Sequence, residues 1–107
     1  MLSRSLLVSL LAVPAALAAE CFGNGNPGLS ASDFQQAANQ VCNYGPSWDG
    51  YINGHQVQAV YQGNAKIHCQ DAFSNIISQC VSGEGRNGGQ WTWNYNGVNE
   101  LYYIQAF

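Results

Sequence analysis

Two histidines, six carboxylates and one arginine in the body of the chain are the groups with acid–base or phosphate chemistry. Together they have the residue types of a small ribonuclease, which needs a glutamate as general base, a histidine as general acid and an arginine for the phosphate. His55 or His68, Glu84 or Glu100, and Arg86 are the members available. Arg86 and Glu84 fall in the glycine-rich stretch GEGRNGG, where a catalytic geometry is hard to hold. His55 flanks a turn and His68 starts a helix, so these groups read as solvated loop and helix-end residues. Asp49 and Glu100 are the carboxylates a glycosidase would pair, but nothing in the spacing brings them together. No Gly-x-Ser-x-Gly elbow occurs, and cysteines of a secreted chain are expected to be oxidised, which leaves no nucleophile. GEGRNGG itself follows a helix and precedes a strand, the reverse of a phosphate-cradling loop, and reads as a connector. No catalytic residue, no enzymatic activity and no cofactor is expected.

Recognition chemistry is better represented. Residues 90–97, QWTWNYNG, alternate aromatic rings with small polar side chains. Tyr and Trp offer large apolar area with a polar handle at little entropic cost, and amides pair with hydroxyls. That combination suits a neutral, hydroxyl-rich ligand such as a sugar. Tryptophans at alternate strand positions also make a core, so the face each one occupies decides the matter.

Charge narrows the partners. The formal net charge is −3, and beyond residue 4 only Lys66 and Arg86 are basic. Nucleic acid and anionic membrane surfaces are therefore excluded as expected partners, because binding to them rests on neutralising phosphates. Arg4, the apolar stretch Leu6–Val13 and the small residues of ALAAE read as a signal peptide over residues 1–18. The apolar run falls well short of the ~20 residues that span a bilayer. Residues 19–107 are then one secreted, extracellular domain. The four cysteines, Cys21, Cys42, Cys69 and Cys80, suit two disulfides in so small a core. There is no C-x-x-C pair and His68 beside Cys69 is poor ligand spacing, so no metal site is expected. No Asn-x-Ser/Thr sequon occurs.

The elements that must position these groups follow from local signals. The stretch from Glu20 to Gly28 reads as a turn-rich arm. Ser30 and Asp33 form a capping box, Leu29 staples against Phe34, and Phe34, Ala37, Ala38, Val41 and Cys42 follow helical spacing until Gly45-Pro46. Asn53-Gly54 is the preferred two-residue hairpin turn. It pairs Ile52 with His55 and Tyr51 with Gln56. Trp48, Ile52, Val57, Ala59 and Tyr61 then share one face, and Asp49, Tyr51, Gln56 and Gln58 the other. Cys69, Ala72, Phe73, Ile76, Ile77, Cys80 and Val81 make the stripe of a second helix that stops at Gly83. QWTWNY and ELYYIQAF close the chain as strands. If Asn96-Gly97 is a two-residue turn, Trp91, Trp93 and Tyr95 share the helix side with Tyr102 and Ile104. Thr92, Asn94, Leu101, Tyr103 and Gln105 then face outward. A three-residue loop would reverse that pairing of faces.

Helix, hairpin, helix, hairpin predicts an α+β two-layer sandwich, a permuted split βαβ arrangement. Its two helices pack on one face of a mainly antiparallel sheet of about four strands, with two disulfides. Cys69 and Cys80 on one helix lie ~16 Å apart, beyond the reach of a disulfide. Two connectivities survive. Helices running roughly parallel would join their starts, Cys21–Cys69, and their ends, Cys42–Cys80, which is the preferred set over Cys21–Cys80 with Cys42–Cys69.

CFGNGNP at the start, the helix closing on Cys42, CQDAFSNIISQC, and Gly88-Gly89 before an aromatic strand resemble small secreted fungal proteins. They are similar to the mushroom antiviral lectins that recognise N-acetylated sugars and, more distantly, to smut killer toxins and necrosis effectors. The resemblance implies a compact sandwich and glycan binding.

The expectation is a secreted carbohydrate-binding protein for neutral, including N-acetylated, glycans or cell-wall polysaccharide. Asp49, Tyr51, Gln58, Asn94 and Tyr103 are the expected contacts on the sheet face away from the helices. Trp93 stays with them because the loop after Tyr95 sets its face. A secreted toxin or host-directed effector acting on a protein target, and a small secreted ribonuclease, are the alternative readings. Exposed edge strands leave a homodimer open.

Overall fold

The computed structural model describes residues 18–107; the expected signal peptide lies, but for its last residue, outside them. In chain order the elements are β1 (Glu20–Gly25), α1 (Ala31–Tyr44), β2 (Ser47–Ile52), β3 (His55–Gly63), α2 (Cys69–Ile76), β4 (Arg86–Tyr95) and β5 (Val98–Ala106). After Ile76 the second helix continues as a π-helical stretch, Ile77–Gly83.

The local signals act as their chemistry requires. Asp33 N–H donates to Ser30 Oγ (3.1 Å) and Ser30 N–H returns to Asp33 Oδ2 (3.0 Å), closing the capping box. Asn53 Nδ2 donates to the same Asp33 carboxylate at 3.0 Å, which fastens the start of α1 to the β2–β3 turn. At its other end α1 is capped by a residue distant in sequence. Lys66 Nζ donates to the carbonyls of Val41 (2.6 Å) and Gly45 (3.0 Å), placing a cation where the helix leaves acceptors unpaired. Both hairpin turns have their two central residues at positive φ: Asn53 50° and Gly54 82°, Asn96 52° and Gly97 79°. This is the two-residue turn whose twist matches paired strands.

The sheet has five strands in the order β1-β4-β5-β3-β2, and every neighbouring pair is antiparallel. The expected count of about four omitted β1. Its sequence, ECFGNG, has little strand propensity, and tertiary ties supply what propensity does not. Cys21 pairs with Gly89 and Phe22 with Gly88, then after a register shift Gly25 pairs with Arg86, and Asn26 N–H donates to Gly85 O at 2.7 Å. The same pairing draws Arg86–Gly89 into β4, so the glycine-rich connector is shorter than expected.

Strand order dictates helix direction. β1 and β2 point one way and β3 and β4 the other, so α1, joining β1 to β2, runs opposite to α2, joining β3 to β4. The end of α1 then meets the start of α2. The bonds are Cys42–Cys69 and Cys21–Cys80. This corrects the preferred connectivity, which presumed that the helices of a split βαβ layout run roughly parallel; the antiparallel β2–β3 hairpin between them makes them run opposite.

Both helices lie on one face. Phe34, Ala37, Ala38 and Val41 of α1 and Phe73, Ile76 and Cys80 of the second helix meet Trp91, Tyr102, Ile104, Val57 and Ala59 of the sheet in a single core. Gly89 allows this closeness. A Cβ on Gly89 would stand 2.7 Å from Cys80 Sγ, and one on Gly88 2.8 Å from the Phe22 ring on the opposite face.

Candidate functional site: the open sheet face

The face that no helix covers is arranged in rows by the ladder register. Thr92, Leu101 and Gln62 form one row. Gln90, Tyr103, Val60 and Ser47 form the next, with Glu20 at the β1 edge. Gly88, Gln105, Gln58 and Asp49 form a third, with Phe22 over Gly88. Asn94 and Asn99 stand at one end, and Gln56 opposite Tyr51 at the other. The parity expected from the two turns holds throughout, and Asp49, Tyr51, Gln58, Asn94 and Tyr103 all occupy this face.

Two clusters emerge within it. At the β2 edge, Asp49 accepts from Gln56 Nε2 at 3.0 Å and Gln58 Nε2 at 3.3 Å, beside a Tyr51 ring that is 74% exposed. These amides hold the carboxylate toward solvent, and Asp49 retains lone pairs for a ligand hydroxyl. Mid-sheet, the Tyr103 hydroxyl donates to Gln105 Oε1 (2.6 Å) and its ring packs 5.3 Å from that of Phe22. Phe22 was missed from sequence because its strand was missed. At the far end a shallow depression of about 320 Å³ is lined by Gln62, Gly63, Thr92, Asn94, Asn99, Glu100 and Leu101. Strand spacing and rise put Asp49 about 25 Å from Asn94. The expected contact residues therefore share a face without forming one small pocket.

Trp93 does not join them. It lies on the helix side, its ring stacked 6.0 Å from Trp91, because the two-residue turn at Asn96-Gly97 fixes its parity.

The helix side holds a second constellation. Glu100 is 3% exposed and its carboxylate is surrounded by donors. Tyr102 hydroxyl and His68 N–H (3.1 Å) donate to Oε1, and His68 Nδ1 lies 3.1 Å from Oε2. Burial pushes the Glu100 carboxyl up, but the hydrogen bonds from Tyr102 and His68 outweigh it and hold the group below the usual glutamate value. Burial, followed by the neighbouring carboxylate, pushes the Tyr102 hydroxyl above the ordinary tyrosine range. Glu100 is thus no solvated end residue. Its parity with Tyr102 and Ile104 carried that signal.

The acid–base candidates are divided by this geometry. His68 and Glu100 meet, whereas Arg86 begins β4, about 23 Å of strand away from Trp93, and pairs with Glu84 at 3.5 Å. His55 sits by the chain end, Nδ1 3.0 Å from Phe107 O. Asp49 and Glu100 face opposite sides of the sheet. Among the described residues no group of three or more His, Cys, Asp or Glu could hold a metal ion, and no helix is long and apolar enough to cross a membrane.

The fold and its open face define a disulfide-stapled, two-layer α+β protein. Comparisons with protein families, curated proteins and solved structures returned no match.

Proposed function

We propose that this is a secreted, lectin-like protein whose open sheet face binds neutral glycans, N-acetylated ones included, or cell-wall polysaccharide. The observation that carries this reading is Asp49, presented to solvent by the Gln56 and Gln58 amides beside the exposed Tyr51. A carboxylate fixed by neutral donors is an acceptor for sugar hydroxyls, and an adjacent exposed ring supplies a surface for sugar C–H groups. The rest of the face mixes amides and hydroxyls with the apolar Phe22, Val60 and Leu101, and Arg86 and Glu20 stand at its margin. A length of about 25 Å between Asp49 and Asn94 suits a chain of sugars better than a single one. The resemblance to mushroom lectins supports the same reading, and the two disulfides agree with an extracellular setting.

A glycan array combined with pull-down on chitin and cell-wall polysaccharide tests it. Binding that Asp49→Ala and Tyr51→Ala each weaken is expected. Absence of signal on every glycan, or binding indifferent to both substitutions, overturns the reading.

A further inference from the structure

Trp91, Trp93 and Tyr95 descend the helix-facing side of β4 from core to solvent. Trp91 is 2% exposed, Trp93 is half-buried and Tyr95 is 65% exposed. The rings form a continuous ladder, with Trp91 and Trp93 stacked at 6.0 Å and Tyr95 edge-on to Trp93 at 6.1 Å. The lower rungs emerge where α1 ends, α2 begins and the β4–β5 hairpin turns.

His68 lies against the middle rung, its ring centroid 4.3 Å from that of Trp93. An ionised carboxylate only accepts, so Glu100 fixes the proton of the imidazole on Nδ1. In the neutral imidazole Nε2 is then an acceptor, and among the described residues it makes no hydrogen bond. The His68 side chain is 22% exposed while that of Glu100 is 0%. Burying a carboxylate is costly, and an apolar group of similar volume would serve packing at least as well. What the carboxylate adds is a fixed orientation and tautomer for a half-open imidazole, the arrangement used where a histidine must present one defined nitrogen to a ligand.

We propose that this end of the sandwich is a second binding site, in which His68 Nε2 accepts a hydroxyl of a sugar ring packed against Trp93 and Tyr95, with Glu100 as the positioning residue. It is separate from the open face: Trp93 and Asn94 are consecutive strand residues and point to opposite sides of the sheet. It can therefore stand or fall independently of the reading above.

The three tryptophans give three indole N–H resonances, so ¹⁵N-labelled protein reports on the ladder directly. Chitotriose, cellotriose and galactose are titrated separately to about 10 mM, which reaches past millimolar dissociation constants. One of them is expected to shift the Trp93 indole and the His68 imidazole signals together and saturably. His68→Phe keeps a ring on Trp93 but removes Nε2, and should weaken that response about five- to tenfold, the worth of one hydrogen bond. Asp49→Ala on the other face should leave it unchanged. Trp93 signals that stay fixed with all three sugars overturn the proposal, as does a response undiminished in His68→Phe. Should His68→Phe not fold, the exposed Tyr95→Ala decides: a weakened response supports the site and an unchanged one overturns it.

Discussion

Cys42 and Cys69 close a disulfide, their Cα atoms 5.6 Å apart, that ties the last turn of α1 to the first residue of α2. Cys21–Cys80 ties β1 to the far end of the second helix. Non-reducing peptide mapping should recover these two pairs. The loops they close span 59 and 27 residues, so chain entropy alone assigns roughly 4 and 3.5 kcal/mol to them. Cys21→Ser with Cys80→Ser should therefore lower unfolding free energy somewhat more than Cys42→Ser with Cys69→Ser, as read by urea titration. It should also release β1 to hydrogen exchange ahead of the remaining strands.

Gly89 is the point at which the second helix and its disulfide come down onto the sheet. An added Cβ would stand 2.7 Å from Cys80 Sγ, 2.9 Å from Glu20 O and 3.1 Å from Ile76 Cγ2. Backbone and disulfide yield little, so Gly89→Ala should cost about 1–3 kcal/mol, the usual range for overpacking. Gly25→Ala, where nothing lies within 4 Å of the new Cβ, is the control and should change unfolding free energy far less.

Much of this arrangement is legible in the sequence because two dipeptides fix parity. Asn53-Gly54 and Asn96-Gly97 each adopt the two-residue turn, and from them alternation assigns Asp49, Tyr51, Gln58, Asn94 and Tyr103 to one face and Trp91, Trp93 and Tyr102 to the other. Capping residues give α1 in the same way. Where the controlling interaction is distant, the sequence is silent. ECFGNG becomes a strand beside Gly88-Gly89, where the Cys21–Cys80 disulfide holds it. The Lys66 cap of α1 likewise joins residues 21 or more positions apart. Glu100 is a different case, since its parity placed it inward while its chemistry argued for solvent. Three donors resolve the conflict.

Those donors make stability depend on pH at both extremes. The Glu100 carboxyl is held below its ordinary value of 4.5, and that of Asp33 below 3.8, the latter chiefly by the Ser30 backbone N–H. A carboxyl depressed in the folded state stabilises above its unfolded value, and that contribution is lost as pH falls through the folded one. The melting temperature should therefore decline as pH drops below about 4.5. The Tyr102 hydroxyl is raised, so its contribution is present below its ordinary value of 10.0 and is lost at more alkaline pH. Melting curves across pH should show both declines. Tyr102→Phe should remove the tyrosine contribution on the alkaline side while lowering stability at neutral pH, because it deprives Glu100 of a donor. A Tyr102→Phe profile parallel to that of the unaltered protein above pH 10 would count against the assignment.

The two ends of the open face make affinity depend on ligand length. Asp49 and Asn94 are about 25 Å apart along the sheet, so a short oligosaccharide reaches one and not both. If a polysaccharide lies along the face, Asp49→Ala should weaken binding of both a disaccharide and a hexasaccharide of the preferred series. Asn94→Ala should affect the hexasaccharide alone. Each loss should be about five- to tenfold, the net worth of one hydrogen bond, read by calorimetry. Equal affinity for the two lengths, with Asn94→Ala neutral for both, would confine recognition to the Asp49–Tyr51 edge and leave the depression beside Asn94 without a part in it.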